Sequence, residues 1–277
     1  MSDHQQVIAF QGERGAYSEA AGVIHFGDAI QPLPCSTFEA VFESVESGSA
    51  DQGIIPVENS LAGSIHRNYD LLLRHDLTIV GEVQTRIAHT LIAMPGVTMD
   101  DISRVYSHPQ ALAQCERSLT TLLPDAERVP AYDTAGSVKL LREGNVQDGA
   151  AIASRRAADI YEMTILRDQM EDDAENYTRF LVLGREAAIP TEEAKTSIVF
   201  STGNVPGALF KCLAVFALRD IDLTKIESRP LQGKRWEYLF YVDFAGSTGE
   251  TRCHSALNHL QELTTFFRVL GSYPRGV

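Results

Sequence analysis

Short apolar runs alternate with amphipathic stretches along the first 185 residues of the chain. The apolar runs, each of which predicts a strand, lie at residues 7–10, 30–33, 53–57, 104–107, 129–132 and 150–153. Stretches with helical spacing follow these runs, and one of them predicts a single helix at residues 110–123. The β-rich residues 78–94 predict one or two long strands that would cross between two lobes. This alternation indicates a mostly parallel α/β sheet.

A different order of elements follows residue 195. Predicted strands lie at residues 197–201, 223–226, 236–244 and 266–270, and predicted helices lie at residues 206–218 and 256–263. The resulting order, βαββαβ, is the ferredoxin-like arrangement. We therefore predict an α/β domain at residues 1–186, a polar linker at residues 187–195 and an α+β domain at residues 196–277.

The charge and the cysteines restrict the partners and the location of the protein. The chain has 277 residues and a formal net charge of −13, with dispersed lysines and arginines, which disfavours nucleic acid and anionic membranes as partners. No apolar run approaches the roughly 18 residues that span a bilayer. Four widely spaced cysteines without C-x-x-C spacing are typical of reduced thiols, and the polar start lacks a secretory signal. These features predict a cytoplasmic location.

Small polar residues collect where predicted strands end and helices begin, which is where open α/β sheets bind ligands. Asn59 and Ser60, Ser107, and Thr134 are examples of this placement. Each of them is explained by helix capping alone. Several helix starts that face one crevice would also form an anion site, because free N–H groups and helix dipoles favour negative charge.

Signatures of cofactor and metal sites are missing from the sequence. It contains no H-E-x-x-H, no Cys/His cluster with zinc spacing, no G-x-G-x-x-G, no P-loop and no G-x-S-x-G. The polar side chains suit hydrogen-bonded positioning of a small anion. We therefore expect no cofactor and no metal.

The stretch AENYTRFLVLG, at residues 174–184, joins an acidic patch to a predicted buried strand. The acids at residues 171–175 are interpreted as solvated. Thr178 fits a strand, and Arg179 would pair either with these acids or with a carboxylate of a ligand. The residues alone leave both roles of Arg179 open.

Six segments resemble motifs of known families in matching order. Residues 12–19, 55–64, 107–112 and 176–180 resemble the motifs of prephenate dehydratases. Residues 207–209 (GAL) and 227–230 (ESRP) resemble the phenylalanine-binding motifs of ACT regulatory domains. The resemblance implies a two-lobed catalytic domain like the type II periplasmic binding proteins, followed by an α+β ferredoxin-like ACT domain.

The resemblance implies that prephenate is converted into phenylpyruvate with loss of water and carbon dioxide, in phenylalanine biosynthesis. It assigns Thr178 to the leaving hydroxyl, and Asn59, Gln114 and Ser107 to hydrogen bonds with the substrate. Glu58 would either face the developing cation or orient Asn59. Candidate substrate-binding residues, for which capping, core packing or an ion pair is the alternative role, are Ser60, Ser64, Thr134, Arg179 and Phe180.

The second domain is expected to bind L-phenylalanine as a feedback effector. The residues implied by the resemblance are Asn204, Val205, Gly207, Ala208, Leu209, Glu227, Ser228, Arg229 and Pro230. Glu227 would take the ammonium group and the nearby helix start the carboxylate; alternatively, Gly207 serves helix packing and Glu227 pairs with Arg229. ACT domains commonly bind ligands between subunits, so the resemblance implies a homodimer or homotetramer.

The first motif departs from the family pattern, because Glu13 and Ala16 stand where many relatives carry Pro and Thr. This leaves arogenate, which has an amine in place of the keto group of prephenate, as an alternative substrate. A non-catalytic amino-acid sensor and a regulatory subunit of another enzyme are further alternatives. Thr178 and Asn59 favour the enzyme, because a sensor does not need a donor at the leaving oxygen.

Overall fold

The computed structural model describes residues 5–189, 193–231, 233 and 236–276. The chain divides into two compact units, Met1–His75 with Val83–Leu181, and Asp76–Glu82 with Val182–Val277. Within the described residues, no helix is both long enough and apolar enough to cross a bilayer.

A six-stranded sheet forms the first lobe of the first unit, except that residues 78–82 and 182–184 of its strands are grouped with the second unit. Its strands are β1 (Gln6–Gln11), β2 (Ile30–Cys35), β3 (Gln52–Asn59), β4 (Gly63–Ser64), β5 (Thr78–Arg86) and β11 (Tyr177–Gly184). Their order is β2-β1-β3-β11-β5, and β4 pairs with β3. The helices of this lobe are α1 (Tyr17–Phe26), α2 (Phe38–Glu46) and α3 (His66–Arg74). Thr37 begins α2 by accepting a hydrogen bond from the backbone N–H of Ala40, as expected of a helix cap.

A five-stranded sheet forms the second lobe. Its strands are β6 (Thr90–Ala93), β7 (Arg104–Ser107), β8 (Glu127–Pro130), β9 (Gly149–Ala153) and β10 (Thr164–Arg167), in the order β10-β6-β9-β7-β8. Its helices are α4 (Pro109–Gln114), α5 (Glu116–Leu122), α6 (Thr134–Gly144) and α7 (Arg155–Ile160), with a single 3-10 turn at Met99–Asp101. The central strand β9, GAAIA, is buried along its whole length. The predicted crossover between lobes is confirmed, because β5 and β6 belong to different sheets.

Two predictions about this unit were wrong in detail. The single helix expected at residues 110–123 is broken at Cys115, whose φ of −116° and ψ of 12° are not helical. The carboxylate of Asp172 accepts hydrogen bonds from the N–H groups of Arg117 and Ser118 and so begins a new helix there. The sheets are also less parallel than expected, because β6 runs antiparallel to both β9 and β10. The chain enters β6 directly from the other lobe without a crossover helix.

The end of β8 also differs from its prediction, and the difference positions the site. The strand expected at residues 129–132 lies at Glu127–Pro130. Pro130 has no N–H group to continue the ladder. Tyr132 therefore lies beyond the strand, and Asp133 becomes the cap of α6.

The two lobes are packed together beside the start of α1. The hydroxyl of Ser154 donates to the carbonyl of Gly15 at 2.6 Å, and Arg156 forms a 2.9 Å ion pair with the buried Glu19. Gly15 has a φ of +88°, and a Cβ built on it would lie 2.6 Å from the Cα of Ala157. Only glycine allows this close approach of two backbones.

The second unit has the βαββαβ order expected from the sequence. Its elements are β12 (Ala194–Ser201), α8 (Ala208–Ala217), β13 (Leu223–Pro230), β14 (Tyr238–Ala245), α9 (Thr251–Leu263) and β15 (Phe266–Pro274). The sheet order is β13-β14-β12-β15, with antiparallel neighbours. Residues 190–192 of the predicted linker lie outside the described residues, and Ala194 and Lys195 belong to β12. Lys195 forms a buried 2.6 Å ion pair with Glu82 of the same unit.

Gly15→Ala is expected to destabilise the protein more than Gly96→Ala, because both glycines have a φ of +88° but a Cβ on Gly96 meets no atom within 4 Å. The strained backbone alone costs about 1–2 kcal/mol, and overpacking at Gly15 adds about 1–3 kcal/mol. Chemical denaturation of the two variants and the wild type measures both losses. Equal losses in the two variants would contradict the packing of Gly15 against Ala157.

Candidate active site

A cavity of about 540 Å³ lies in the first unit and is lined by residues of both lobes. Its volume falls within the range of small-molecule sites. The starts of α1, α2, α3, α4 and α6 contribute Tyr17, Ser18, Thr37, Arg67, His108, Gln110, Asp133 and Thr134. Five helix starts therefore face one crevice, which is the geometry expected of an anion site.

The side chain of Asn59 has a fixed orientation in the wall of this cavity. Its Oδ1 accepts hydrogen bonds from the backbone N–H groups of Leu61 and Ala62, at 3.2 and 2.9 Å. Its Nδ2 therefore points the other way, 2.7 Å from Oδ1 of Asn176 and 3.0 Å from Oγ1 of Thr178. Because Thr178 accepts this hydrogen bond, its own hydroxyl proton remains available for a ligand.

The orientation of Asn176 in turn fixes which atoms donate and which accept at Gln114 and His89. Nδ2 of Asn176 donates to Oε1 of Gln114 at 3.1 Å, and Nε2 of His89 lies 2.9 Å from the same oxygen. Oε1 of Gln114 can only accept, so Nε2 of His89 carries the proton. The hydroxyl of Tyr17 lies 2.8 Å from Nδ1 of His89 and 2.9 Å from the carbonyl oxygen of Ala88, and both of these atoms can accept its proton. Within the described residues, the amide nitrogen of Gln114 has no protein acceptor, which leaves it as a second donor at the cavity.

Tyr17 and His89 are neutral parts of this network at pH 7. Burial raises the pKa of Tyr17 well above its ordinary value, and the nearby Cys115 and Glu171 add to this effect. Burial lowers the pKa of His89, against smaller opposing effects of the hydrogen bond to Gln114 and of the charge of Glu171. Neither residue therefore adds charge to the cavity.

The acids at residues 171–175 are not all solvated, which corrects the interpretation made from the sequence. Glu171 is buried, forms a 2.9 Å ion pair with Arg86 and accepts the backbone N–H of His89 at 2.8 Å. Asp172 caps α5. The acidic patch thus holds the segment that leads to Thr178 in place.

Two charged residues of the cavity wall were not assigned a role at the site from the sequence. Arg67, on α3 of the first lobe, lines the cavity and forms no hydrogen bond or ion pair with the described protein atoms. Asp133, at the start of α6 of the second lobe, accepts the backbone N–H groups of Gly136 and Glu13. Both follow predicted strands, but that position is equally typical of an ordinary surface or capping residue.

The structure places five of the predicted site residues on the cavity wall, namely Asn59, Gln114, Thr134, Thr178 and Phe180. Phe180 is also almost fully buried, so it packs in the core as well.

The other five predicted residues are not among the described residues that line the cavity. The hydroxyl of Ser107 donates to the carbonyl of Ile152 at 2.6 Å, and that of Ser60 donates to the carbonyl of Glu175 at 2.7 Å. Glu58, Ser64 and Arg179 also form interactions within the protein. The roles assigned to all ten residues stay predictions.

The predicted phenylalanine-binding residues lie around the start of α8 and at the end of β13 in the second unit, with Asn204 and Val205 in the bend that precedes α8. Gly207, with a φ of +78°, precedes α8, where Ala208 and Leu209 form the first turn. Glu227, Ser228, Arg229 and Pro230 end β13, which is an edge strand of its sheet. Glu227 and Arg229 share one face of this strand because side chains alternate along it.

The described part of the chain contains no group of three or more His, Cys, Asp or Glu side chains that is arranged to hold a metal ion. The polar wall of the cavity is therefore built from amides, hydroxyls, imidazoles, one guanidinium and one carboxylate.

Comparison with known proteins shows relatives along nearly the whole chain. A family model described as prephenate dehydratase matches residues 8–188. The chain is 52% identical over 278 residues to arogenate dehydratase/prephenate dehydratase 2, chloroplastic, of Arabidopsis thaliana, and the match covers 96% of this chain and 72% of that protein. It is 51% identical over 283 residues to arogenate dehydratase 3, chloroplastic, of the same plant, covering 96% of this chain and 66%, slightly less than two thirds, of the relative.

A solved structure agrees with these relatives. Prephenate dehydratase from Arthrobacter aurescens, in complex with L-Phe, superposes with a TM-score of 0.89 at 33% identity, covering 97% of this chain and 90% of that one. The chain therefore belongs to the prephenate dehydratase family. The similarity confirms the predicted fold class, a two-lobed α/β domain of the periplasmic-binding-protein type with an α+β, ACT-like unit.

The expected cytoplasmic location is contradicted by these comparisons, because the names of both plant relatives place them in the chloroplast. The expectation rested largely on the four free cysteines. Free thiols indicate a reducing environment but do not distinguish one reducing compartment from another.

Nuclear magnetic resonance of the imidazole nitrogens of His89 is expected to show the tautomer protonated at Nε2, as the polarity of the network requires. A tautomer protonated at Nδ1 would contradict that polarity.

The stability of the protein should depend on pH through the same residue. The lowered pKa of His89 means that the unfolded chain takes up the proton more readily than the folded one. The wild type should therefore lose free energy of unfolding relative to His89→Gln as the pH falls below about 6.5, and the difference should be constant above it. Denaturant unfolding at several pH values measures this trend.

Proposed function

We propose that the protein catalyses the decarboxylative dehydration of prephenate or of its amino analogue arogenate, as a carbon–oxygen lyase of phenylalanine biosynthesis. The observation that carries the proposal is the oriented pair of Asn59 and Thr178, which presents a hydroxyl proton to the cavity. The names of the relatives, which include both activities, support the same reaction class.

The reaction requires that the substrate is held in position and that one protein group donates a hydrogen bond to the departing oxygen. The ring C–O bond breaks, and the hydroxyl takes up a proton from the solvent and leaves as water. The bond from the ring to its carboxylate also breaks, carbon dioxide departs, and the electron pair of that bond completes the aromatic ring. Thr178 donates a hydrogen bond to the departing oxygen, and Asn59 keeps that hydroxyl turned towards it. A positioned donor contributes typically about 10²–10⁴-fold to the rate.

The carboxylates of the substrate need partners in a protein whose net charge is −13. Arg67 supplies a guanidinium, and the helix starts supply dipoles and backbone N–H groups. The free amide nitrogen of Gln114 supplies a further neutral donor. Together these groups would hold and orient the anion without a cofactor, which agrees with catalysis by preorganised dipoles.

The second unit is proposed to bind L-phenylalanine as an effector. The L-Phe complex of the Arthrobacter relative supports this assignment. Gly207 allows a close approach of the backbone at the start of α8, and Glu227 and Arg229 lie on an edge strand. We propose a homodimer or homotetramer in which phenylalanine shifts the equilibrium between two states of the enzyme.

Thr178→Val tests the catalytic assignment, because valine keeps the shape of threonine and removes the hydroxyl. The variant should lose about 10²–10⁴-fold in kcat with prephenate and with arogenate, whereas Thr178→Ser should keep most of the activity. The formation of phenylpyruvate and of phenylalanine measures the two reactions. Near-normal turnover by the valine variant would remove Thr178 from this role. Failure of the wild type on both substrates would favour a non-catalytic sensor.

Glu227→Gln tests the effector site. The variant should need about tenfold or more L-phenylalanine to change the activity, because a hydrogen bond between charged groups is lost. Glu262→Gln, at an exposed position of α9, is the matched control and should respond as the wild type does. Activity and sedimentation with and without phenylalanine measure the response. If the wild type changes neither property, the regulatory proposal fails.

A further inference from the structure

The cavity wall has a single carboxylate among its described lining residues, that of Asp133. The other polar groups of the wall are amides, hydroxyls and imidazoles, together with the guanidinium of Arg67. A positively charged group of a ligand would therefore find one anionic partner in this cavity.

The carboxylate of Asp133 has room for such a partner. Its donors are the backbone N–H groups of Gly136 and of Glu13, the latter at 3.2 Å, so each oxygen keeps a free lone pair. Lys139 is paired with Glu13 at 3.1 Å, and within the described residues no lysine or arginine forms an ion pair with Asp133. Burial raises the pKa of Asp133, whereas its two backbone hydrogen bonds and the nearby His108 lower it, so a bound cation would further stabilise the charged carboxylate.

Prephenate and arogenate differ at one group, which is a keto group in the first and an ammonium group in the second. A carboxylate of the protein can distinguish these two groups. The keto oxygen of prephenate only accepts hydrogen bonds, and the ammonium group of arogenate only donates them and carries a positive charge. A carboxylate accepts hydrogen bonds and is negative, so it attracts the ammonium group and repels the keto oxygen. Selectivity is strongest where one protein group both attracts the preferred ligand and repels the competing one.

We propose that Asp133 recognises the amino group of the substrate and makes the enzyme selective for the amino acid arogenate over the keto acid prephenate. This inference rests on the proposed function, because it concerns the substrate of the same site. Asp133 belongs to the second lobe and Arg67 to the first, so the anionic and the cationic group of the cavity wall come from different lobes. Arogenate carries both signs of charge and matches this arrangement better than a dianion does.

Asp133 also has a structural role, since it caps α6 and holds the backbone of Glu13. A purely structural loss would lower the activities with both substrates in proportion. Loss of recognition changes their ratio. The test therefore measures kcat/KM for arogenate divided by kcat/KM for prephenate in each enzyme.

Asp133→Asn removes the charge and keeps a good helix cap, and Asp133→Ser is a second uncharged cap should the first variant fold poorly. We expect the wild type to prefer arogenate and the ratio to fall about 10- to 100-fold in both variants. Asp133→Glu retains the charge and should keep the preference for arogenate. Asp172→Asn is the matched control, because Asp172 caps α5 in the same lobe and lies outside the described cavity wall. Its ratio should equal that of the wild type.

The outcomes separate the two proposals. A wild type that prefers prephenate, or a ratio that stays within about twofold of the wild type in the uncharged variants, overturns the role of Asp133 and leaves the dehydratase proposal standing. A wild type that converts neither substrate overturns the proposed function itself.

Discussion

The hydrogen bonds from two backbone N–H groups to Oδ1 of Asn59 fix the direction of the hydrogen bonds that Asn59 makes with Thr178 and Asn176. An amide has one accepting and one donating end, so fixing the first places the second against Thr178 and Asn176. Asn176 in turn donates to Oε1 of Gln114, and the same oxygen accepts the proton of Nε2 of His89. Reversing any buried amide would bring like groups together, at a cost of about 1–3 kcal/mol for each unsatisfied group. The backbone of the loop after β3 therefore leaves the hydroxyl proton of Thr178 available to a ligand in the cavity.

The framework around this network holds the two lobes together beside the start of α1, and each lobe contributes a charge of opposite sign to the cavity wall. Gly15 lies against α7 without space for a side chain, and Glu19 forms an ion pair with Arg156. Arg67 and Asp133 face the cavity from different lobes. An excess of negative charge on the whole protein is therefore compatible with an anionic ligand, because the local groups are arranged independently of the net charge.

The alternation of strands and helices was predictable because each element carries its own periodicity, and the ferredoxin-like order of the second unit followed in the same way. The break between α4 and α5 at Cys115 was not predictable, because it depends on the carboxylate of Asp172, which is distant along the sequence. Glu171 was misassigned for the same reason, because its burial depends on Arg86. Thr178 and Asn59 were found through motif resemblance. Asp133 was hidden because an aspartate before a helix is also an ordinary cap.

The division of the chain limits how its parts can be recombined. Asp76–Glu82 groups with Val182–Val277, although more than half of the first unit lies between these segments along the chain. Glu82 is the buried partner of Lys195, and removing one partner of a buried ion pair typically costs about 3–5 kcal/mol. A chimaera that exchanged only the C-terminal segment between relatives would inherit half of this ion pair from each parent. The second unit therefore consists of two separate segments of the chain, and an exchange of this unit between relatives should include the seven residues that precede Val83.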